Sequence, residues 1–246
     1  MAAVPLAEIT AYLDEYLRIA QVPDLPNAVN GLQVENSGTI GAIVAAVDAS
    51  QATIAGVAAK ASGRTMEEAA PLLLVHHGLF WDGNLPVTGR RYRRLAALLE
   101  HDIALYSAHI PLDLHPEVGN NVVLAERLGI RVEGWFGEYK GTLVGVWGQA
   151  PAPWSRDALV AEVNRALGTF GAGSRLIGGG PERVSRIGII TGGAGSMIGA
   201  AREAGLDTYI TGEGAHHTYF DATEYGVNVI YAGHYATETL GVQALA

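Results

Sequence analysis

The 246-residue chain contains no cysteine, which excludes disulfides, thiolate zinc sites, iron–sulfur clusters and cysteine nucleophiles. No apolar run approaches the ~18 residues of a helical membrane span. The opening MAAVPLAEIT lacks the basic-then-apolar order of a secretory signal. A soluble, cytoplasmic protein with no membrane partner is therefore expected. Charge is scarce as well: charged residues make up 17% of the chain against 49% hydrophobic, a balance that suits a buried interior and oligomer contacts. The net charge of −9 argues against a sequence-independent nucleic-acid binder, which needs a basic face. Arg90, Arg91, Arg93 and Arg94 form a basic cluster and read as a solvated helix face. The Lys-Ser/Thr of a Walker loop, the GxGxxG of a dinucleotide fold and a nucleophile elbow are all missing.

What is present is organised around Pro71 to Trp81, PLLLVHHGLFW. The aliphatics Leu72 to Val75 read as a strand buried on both faces of an α/β sheet. The strand stops at His76 and His77, just past its carboxyl end, where open α/β sheets bind ligands. Before it, Pro5 opens an amphipathic helix that ends near Ala20, and Pro23 to Gly38 read as a loop-rich stretch. Ile40 to Val47 form a strand ending at Asp48, followed by a helix from about Gln51 to Ala61. After it come a helix from about Arg90 to Glu100 and a strand from Ile103 to Tyr106. The alternation gives βαβαβ with a largely parallel sheet.

Pro111 and Pro116 predict a rigid loop after that third strand, and Asn120 and Asn121 predict a cap for the next helix. From Val132 to Gly180 the pattern changes, with a strand from Thr142 to Gln149 and a helix capped by Ser155. The βα rhythm resumes with strands at Val184–Ile190, Thr208–Ile210 and Val227–Tyr231. A helical segment is expected to hold His216 and His217. The expected architecture is two α/β lobes with largely parallel sheets and a metal site in the cleft between them. The first lobe takes residues 1–128 plus about 227–246 and carries most metal ligands; the second takes about 129–226.

Three strand ends deliver imidazoles or carboxylates: His76/His77, His109/Asp113 and His234/Glu238. The last pair is spaced i, i+4, so a helix starting at His234 puts both side chains on one face. Imidazole with carboxylate, without thiolate, suits zinc, manganese, iron, cobalt or nickel. Three histidines and two carboxylates exceed one ordinary catalytic zinc and match two ions sharing a carboxylate. His216 and His217, with Glu213, either lie behind the ligands or face the substrate, or simply form a polar helix turn. Gly192-Gly193-Ala194-Gly195-Ser196 either presents backbone N–H groups to a phosphate or is a tight turn packed by the site.

These residues resemble the Nif-three-like dinuclear-metal-centre family, also called GTP cyclohydrolase I type 2 homologues. The resemblance spans nearly the whole chain. It rests on Asn30-Gly31-Leu32-Gln33-Val34, His76-His77-Gly78, His109 to Asp113 with Gly119-Asn120-Asn121, Thr191 to Gly195, Thr211-Gly212-Glu213 and Ala232 to Glu238. It implies two divalent ions per subunit. His76 and His77 would each bind a different ion, Asp113 would join His77, His234 would join His76, and Glu238 would bridge. His109 would be a ligand or lie close behind one. It also implies a ring-shaped homohexamer. Tyr235 departs from some relatives, which have a further histidine there.

The functional expectation is a divalent-metal-dependent hydrolase. Metal-activated water would attack a nucleotide-like or cyclic amide/phosphoester small molecule, with His109, Glu213 or His217 moving the proton. The rival is a non-catalytic metal-binding or regulatory scaffold. A ring that threads DNA is disfavoured by the acidic balance.

Overall fold

The apolar run before His76 becomes the central strand of a five-stranded sheet in a computed structural model, which describes residues 3–63, 68–171 and 173–246. Two compact units are present: Met1–Leu112 with Leu245–Ala246, and Asp113–Ala244.

In the first unit the strands are β1 (Val4–Pro5), β2 (Gly31–Val34), β3 (Thr39–Asp48), β4 (Ala70–His77) and β5 (Ala104–Ser107). Their spatial order is β1-β3-β4-β5-β2. The β3–β4 and β4–β5 ladders are parallel, while β1 and β2 pair antiparallel at the edges. Every residue from Ala70 to His76 is buried, which explains why β4 reads as an unbroken aliphatic run instead of alternating. One face packs Leu73, Val75 and Leu105 against Ile54 and Val57 of helix Gln51–Ala61 and Leu98 of helix Gly89–Glu100. Burial is worth roughly 1.5–3 kcal/mol for each such Leu, Ile or Val. On helix Leu6–Tyr16, Asp14 accepts a 2.8 Å hydrogen bond from the Tyr106 hydroxyl of β5.

The second unit holds β6 (Arg131–Tyr139), β7 (Thr142–Ser155), β8 (Arg175–Gly178), β9 (Arg183–Ile189), β10 (Thr208–Thr211) and β11 (Asn228–Tyr231) in the order β6-β7-β9-β10-β11-β8. Here too the parallel ladders, β9–β10 and β10–β11, sit inside antiparallel neighbours. The β6–β7 hairpin turns on Lys140 (φ 50°) and Gly141 (φ 81°), the positive-φ pair that a two-residue hairpin requires. Helix Arg156–Leu167 is capped by the Ser155 hydroxyl, which accepts from the Ala158 N–H at 3.1 Å. Its Leu159, Val163 and Leu167 pack on Val146, Val184 and Ile187.

The α/β reading with a sheet in each lobe holds, with parallel pairing confined to the sheet centres. The division differs, because residues 113–128 and 227–244 fall in the second unit. Leu124 and Leu128 pack in that unit's core, and β11 pairs with β10. Within the loop-rich stretch, β2 is a strand. The segment after β5 contains a helical turn, Ile110–Asp113, because proline is tolerated in a first turn, where its missing N–H is not needed. His216 and His217 precede helix Thr218–Tyr225 instead of lying in it.

Candidate functional site

In each unit the chemistry collects at the carboxyl ends of the parallel strands. In the first, β3 ends at Asp48, β4 at His77, and β5 runs into Ala108 and His109. The parallel register pairs Asp48 with His77, and His77 Nδ1 lies 3.0 Å from Asp48 Oδ1. His76 is fully buried, with Nδ1 2.9 Å from the Ala108 carbonyl oxygen. A carbonyl can only accept, so Nδ1 carries the proton and Nε2 the lone pair. His109 Nδ1 lies 2.9 and 3.1 Å from the two carboxylate oxygens of Asp24, and its backbone N–H donates to Asn30 Oδ1 at 2.7 Å. Burial pushes the Asp24 carboxyl up, but hydrogen bonding and charge from His109, with donors on Asn30 and Leu25, outweigh it and hold the carboxyl below its usual range.

His76, His77 and His109 offer ligand nitrogens that all lie within 4.8 Å of one another. Their ring centroids are 4.7, 5.0 and 5.6 Å apart. Trp81 sets its ring edge-on to His77 and His109. Behind them, Gln33 Oε1 accepts the Leu79 N–H at 2.8 Å. A Cβ at Gly78 would lie 2.3 Å from that carboxamide, so any other residue after the paired histidines would have to displace Gln33 from its bond to Leu79.

In the second unit, His234 opens helix His234–Leu245 and meets Glu238 one turn on, Nε2 to Oε1 at 2.9 Å. Its Nδ1 lies 2.9 Å from Glu213 Oε1, at the end of β10. The Glu238 hydrogen bond, opposed by burial and reinforced by Glu238's charge and by Glu213, pushes the His234 imidazole up to about 9. At neutral pH the metal-free side chain therefore carries a proton between two carboxylates, a place suited to a cation. Gly192, with φ 71°, lies against this pair: a Cβ there would meet Glu238 Oε1 at 2.3 Å and His234 Nε2 at 3.4 Å. The glycine-rich stretch thus serves as a tight turn packed on His234 and Glu238. Asp113 accepts from Asn120 Nδ2 at 2.7 Å. Asn121 accepts the Thr191 N–H at 2.8 Å and donates to the Val144 carbonyl at 2.8 Å. Asn120 and Asn121 lie in the first turn, beyond Gly119 at the cap position, and their side chains make tertiary bonds.

Of the residues singled out from sequence, His76, His77 and His109 gather in the first unit, and His234, Glu238 and Glu213 in the second. Asp113 is buried in the second unit on Asn120. His217 stands exposed at the helix cap position. Glu213 holds Nδ1 of His234, an orienting contact. Sequence reasoning overlooked Asp24, and it quoted Asn30 and Trp81 within their motifs without giving them a role. It noted Asp48 only as a strand end, although its place opposite His77 in a parallel ladder was a usable signal.

The donors fit a divalent cation. His76, His77, His109 and His234 each engage Nδ1 with a carbonyl or carboxylate oxygen, which leaves Nε2, on His234 set against Glu238, as the other ring nitrogen to meet a ligand. That is how metal-binding histidines are usually oriented, and the set of imidazole and carboxylate suits first-row metals.

Residues 4–246 match the sequence model of the Duf34/NIF3 (NGG1p interacting factor 3) family. A Deinococcus radiodurans protein named GTP cyclohydrolase 1 type 2 homolog is 41% identical over 239 residues, 97% of this chain and 86% of that one. One of the same name from Pyrococcus horikoshii is 42% identical over 239 residues, 97% of this chain and 90% of its own. Among solved structures, the protein ybgI, described as of unknown function, superposes with a TM-score of 0.87 at 38% identity, covering 98% of this chain and 92% of that one. TTHA1606 from Thermus thermophilus superposes at 0.81 with 36% identity, covering 98% and 91%.

Proposed function

The chain belongs to the Duf34/NIF3 family, and on that premise we propose that it is a divalent-metal-dependent hydrolase with a dinuclear centre. The proposed ligands are His76, His77, Asp113, His234 and Glu238, which would hold the two ions between them. The observation that carries the reading is the common orientation of the imidazoles, Nδ1 restrained and Nε2 as donor. Two divalent ions in such a donor set supply Lewis-acid polarisation and acidify a water towards neutrality.

The remaining work falls to side chains. His109, held through Nδ1 by Asp24 and beside His76 and His77, is the proposed proton acceptor. Glu213 keeps His234 in register for ligation, and exposed His217 is proposed to meet substrate. We rank nucleotide-like substrates first, because close relatives bear the cyclohydrolase-homologue name, then cyclic amides and phosphoesters. A ring-shaped homohexamer in the cytoplasm completes the proposal. Among the described residues no helix is long and apolar enough to cross a membrane, and light scattering on the purified protein measures the assembly.

The test combines elemental analysis of protein purified without added metal with a screen of metal-loaded protein against those three substrate classes, beside His76→Ala and Glu238→Ala. Turnover abolished by both substitutions is the expected result. Turnover that survives both rejects the mechanism, and bound metal with no turnover on any class favours the non-catalytic scaffold.

A further inference from the structure

We propose that Asp24 is the positioning residue that sets the tautomer of His109. The proposal rests on the hydrolase reading for its consequence in catalysis but not for its structural content.

Asp24 sits in the loop before β2, its side chain only 5% exposed. Its carboxylate is ringed by donors. Oδ1 lies 2.6 Å from the Leu25 N–H and 2.9 Å from His109 Nδ1. Oδ2 lies 2.8 Å from Asn30 Nδ2, 3.0 Å from the Ile110 N–H and 3.1 Å from His109 Nδ1. The position therefore demands an acceptor on both oxygens, which a carboxylate provides and a carboxamide does not. Backbone N–H groups cannot change role, and Asn30 is fixed because its own oxygen accepts the His109 N–H. His109 is the one of these donors that can become an acceptor, by moving its proton from Nδ1 to Nε2. An amide at residue 24 keeps one oxygen, for which the Leu25, Ile110 and Asn30 donors compete, and sets an NH₂ donor where the other accepted. The Nδ1–H form of His109 loses its fixed partner, and the Nε2–H form, whose Nδ1 can accept from the amide, becomes the favoured one. The loop's bonds to Leu25 and Asn30 tether the chain; the bond to His109 chooses which nitrogen is basic.

The experiment is a long-range ¹H–¹⁵N correlation spectrum of the metal-free, full-length protein labelled at histidine, with the His109 signals assigned by their loss in His109→Ala. The expected result is the Nδ1–H tautomer in the native protein and the Nε2–H tautomer in Asp24→Asn, with Asp24→Glu restoring Nδ1–H. Asn30→Ala, which removes loop bonds but leaves the carboxylate, should lower Tm without changing the tautomer. An Nε2–H tautomer in the native protein overturns the proposal even if Asp24→Asn does not fold. So does an unchanged tautomer in Asp24→Asn, or the same change in Asn30→Ala. With a substrate in hand, kcat of Asp24→Asn should fall on the order of 10²–10⁴-fold while KM holds, the range for a lost proton-transfer group; unchanged kcat counts against it. A protein without turnover on any substrate defeats the hydrolase reading while the tautomer measurement still decides this one.

Discussion

Gly192→Ala isolates the packing behind His234 and Glu238. The backbone there is fixed: the Gly192 carbonyl accepts from the Gly212 and Glu213 N–H groups at 2.9 and 3.1 Å, and its own N–H donates to Thr237 Oγ1 at 3.0 Å. A methyl group cannot be accommodated by shifting this turn, and the added Cβ would lie 2.3 Å from Glu238 Oε1. Glu238 must swing away and break its 2.9 Å contact with His234. Two effects add. A non-glycine residue at φ 71° costs roughly 1–2 kcal/mol, which alone lowers Tm by a few degrees. Displacing the carboxylate should weaken divalent-metal binding by about 10–100-fold, the range for disturbing groups that orient or supply ligands. Gly205→Ala separates the two: its φ is 68° but nothing lies within 4 Å of the new Cβ. Calorimetric melting and zinc titration of both variants make the comparison. A loss of Tm in both and a loss of metal affinity in Gly192→Ala alone is expected. Native metal affinity in Gly192→Ala would refute the claim that this glycine seats the ligand pair.

Three further outcomes follow from the same geometry. Asp48→Asn should reduce zinc affinity by about 10–100-fold through His77 while changing stability by no more than ~0.5 kcal/mol, because the Asp48 side chain is half exposed; chelator competition and urea unfolding measure the two. His234 has a folded-state value raised from 6.5 to about 9. Its contribution to metal-free stability is therefore fully present below pH 6.5 and lost as the pH rises through about 9. Urea midpoints across that window should decline, and Glu238→Gln should flatten the decline. Leu73→Ala, at a fully buried position in β4, should cost about 2–5 kcal/mol by urea unfolding, since it leaves a cavity under the helices.

The sequence carried the framework wherever one physical demand dominates a stretch. β4 is readable because a strand covered on both faces must be aliphatic throughout, and His234 with Glu238 because helical spacing alone puts them together. Other features depend on partners far away in the chain. β2 is hidden because Gly31, with φ 102°, and Gln33, bonded to Leu79, break the usual strand pattern. β6 is hidden because its charged residues and the register shift between Val132 and Gly134 disturb alternation. Asn120 reads as a cap by local propensity, yet it joins Asp113 to the Gly241 N–H, and tertiary bonding wins. Asp24 gives no local sign at all, because its role exists only once His109 has been brought beside it.

The contacts that fix His76 and His109 join parts of the chain made far apart in time. The carbonyl that fixes His76 lies 32 residues further along the chain, and the imidazole that Asp24 orients lies 85 residues after that aspartate. A ribosome-bound chain that has just exposed His76 and His77 already holds Asp48, the partner of His77, but not yet the carbonyl that fixes His76. The ring orientations that the proposed metal binding relies on are therefore acquired only when the first sheet closes.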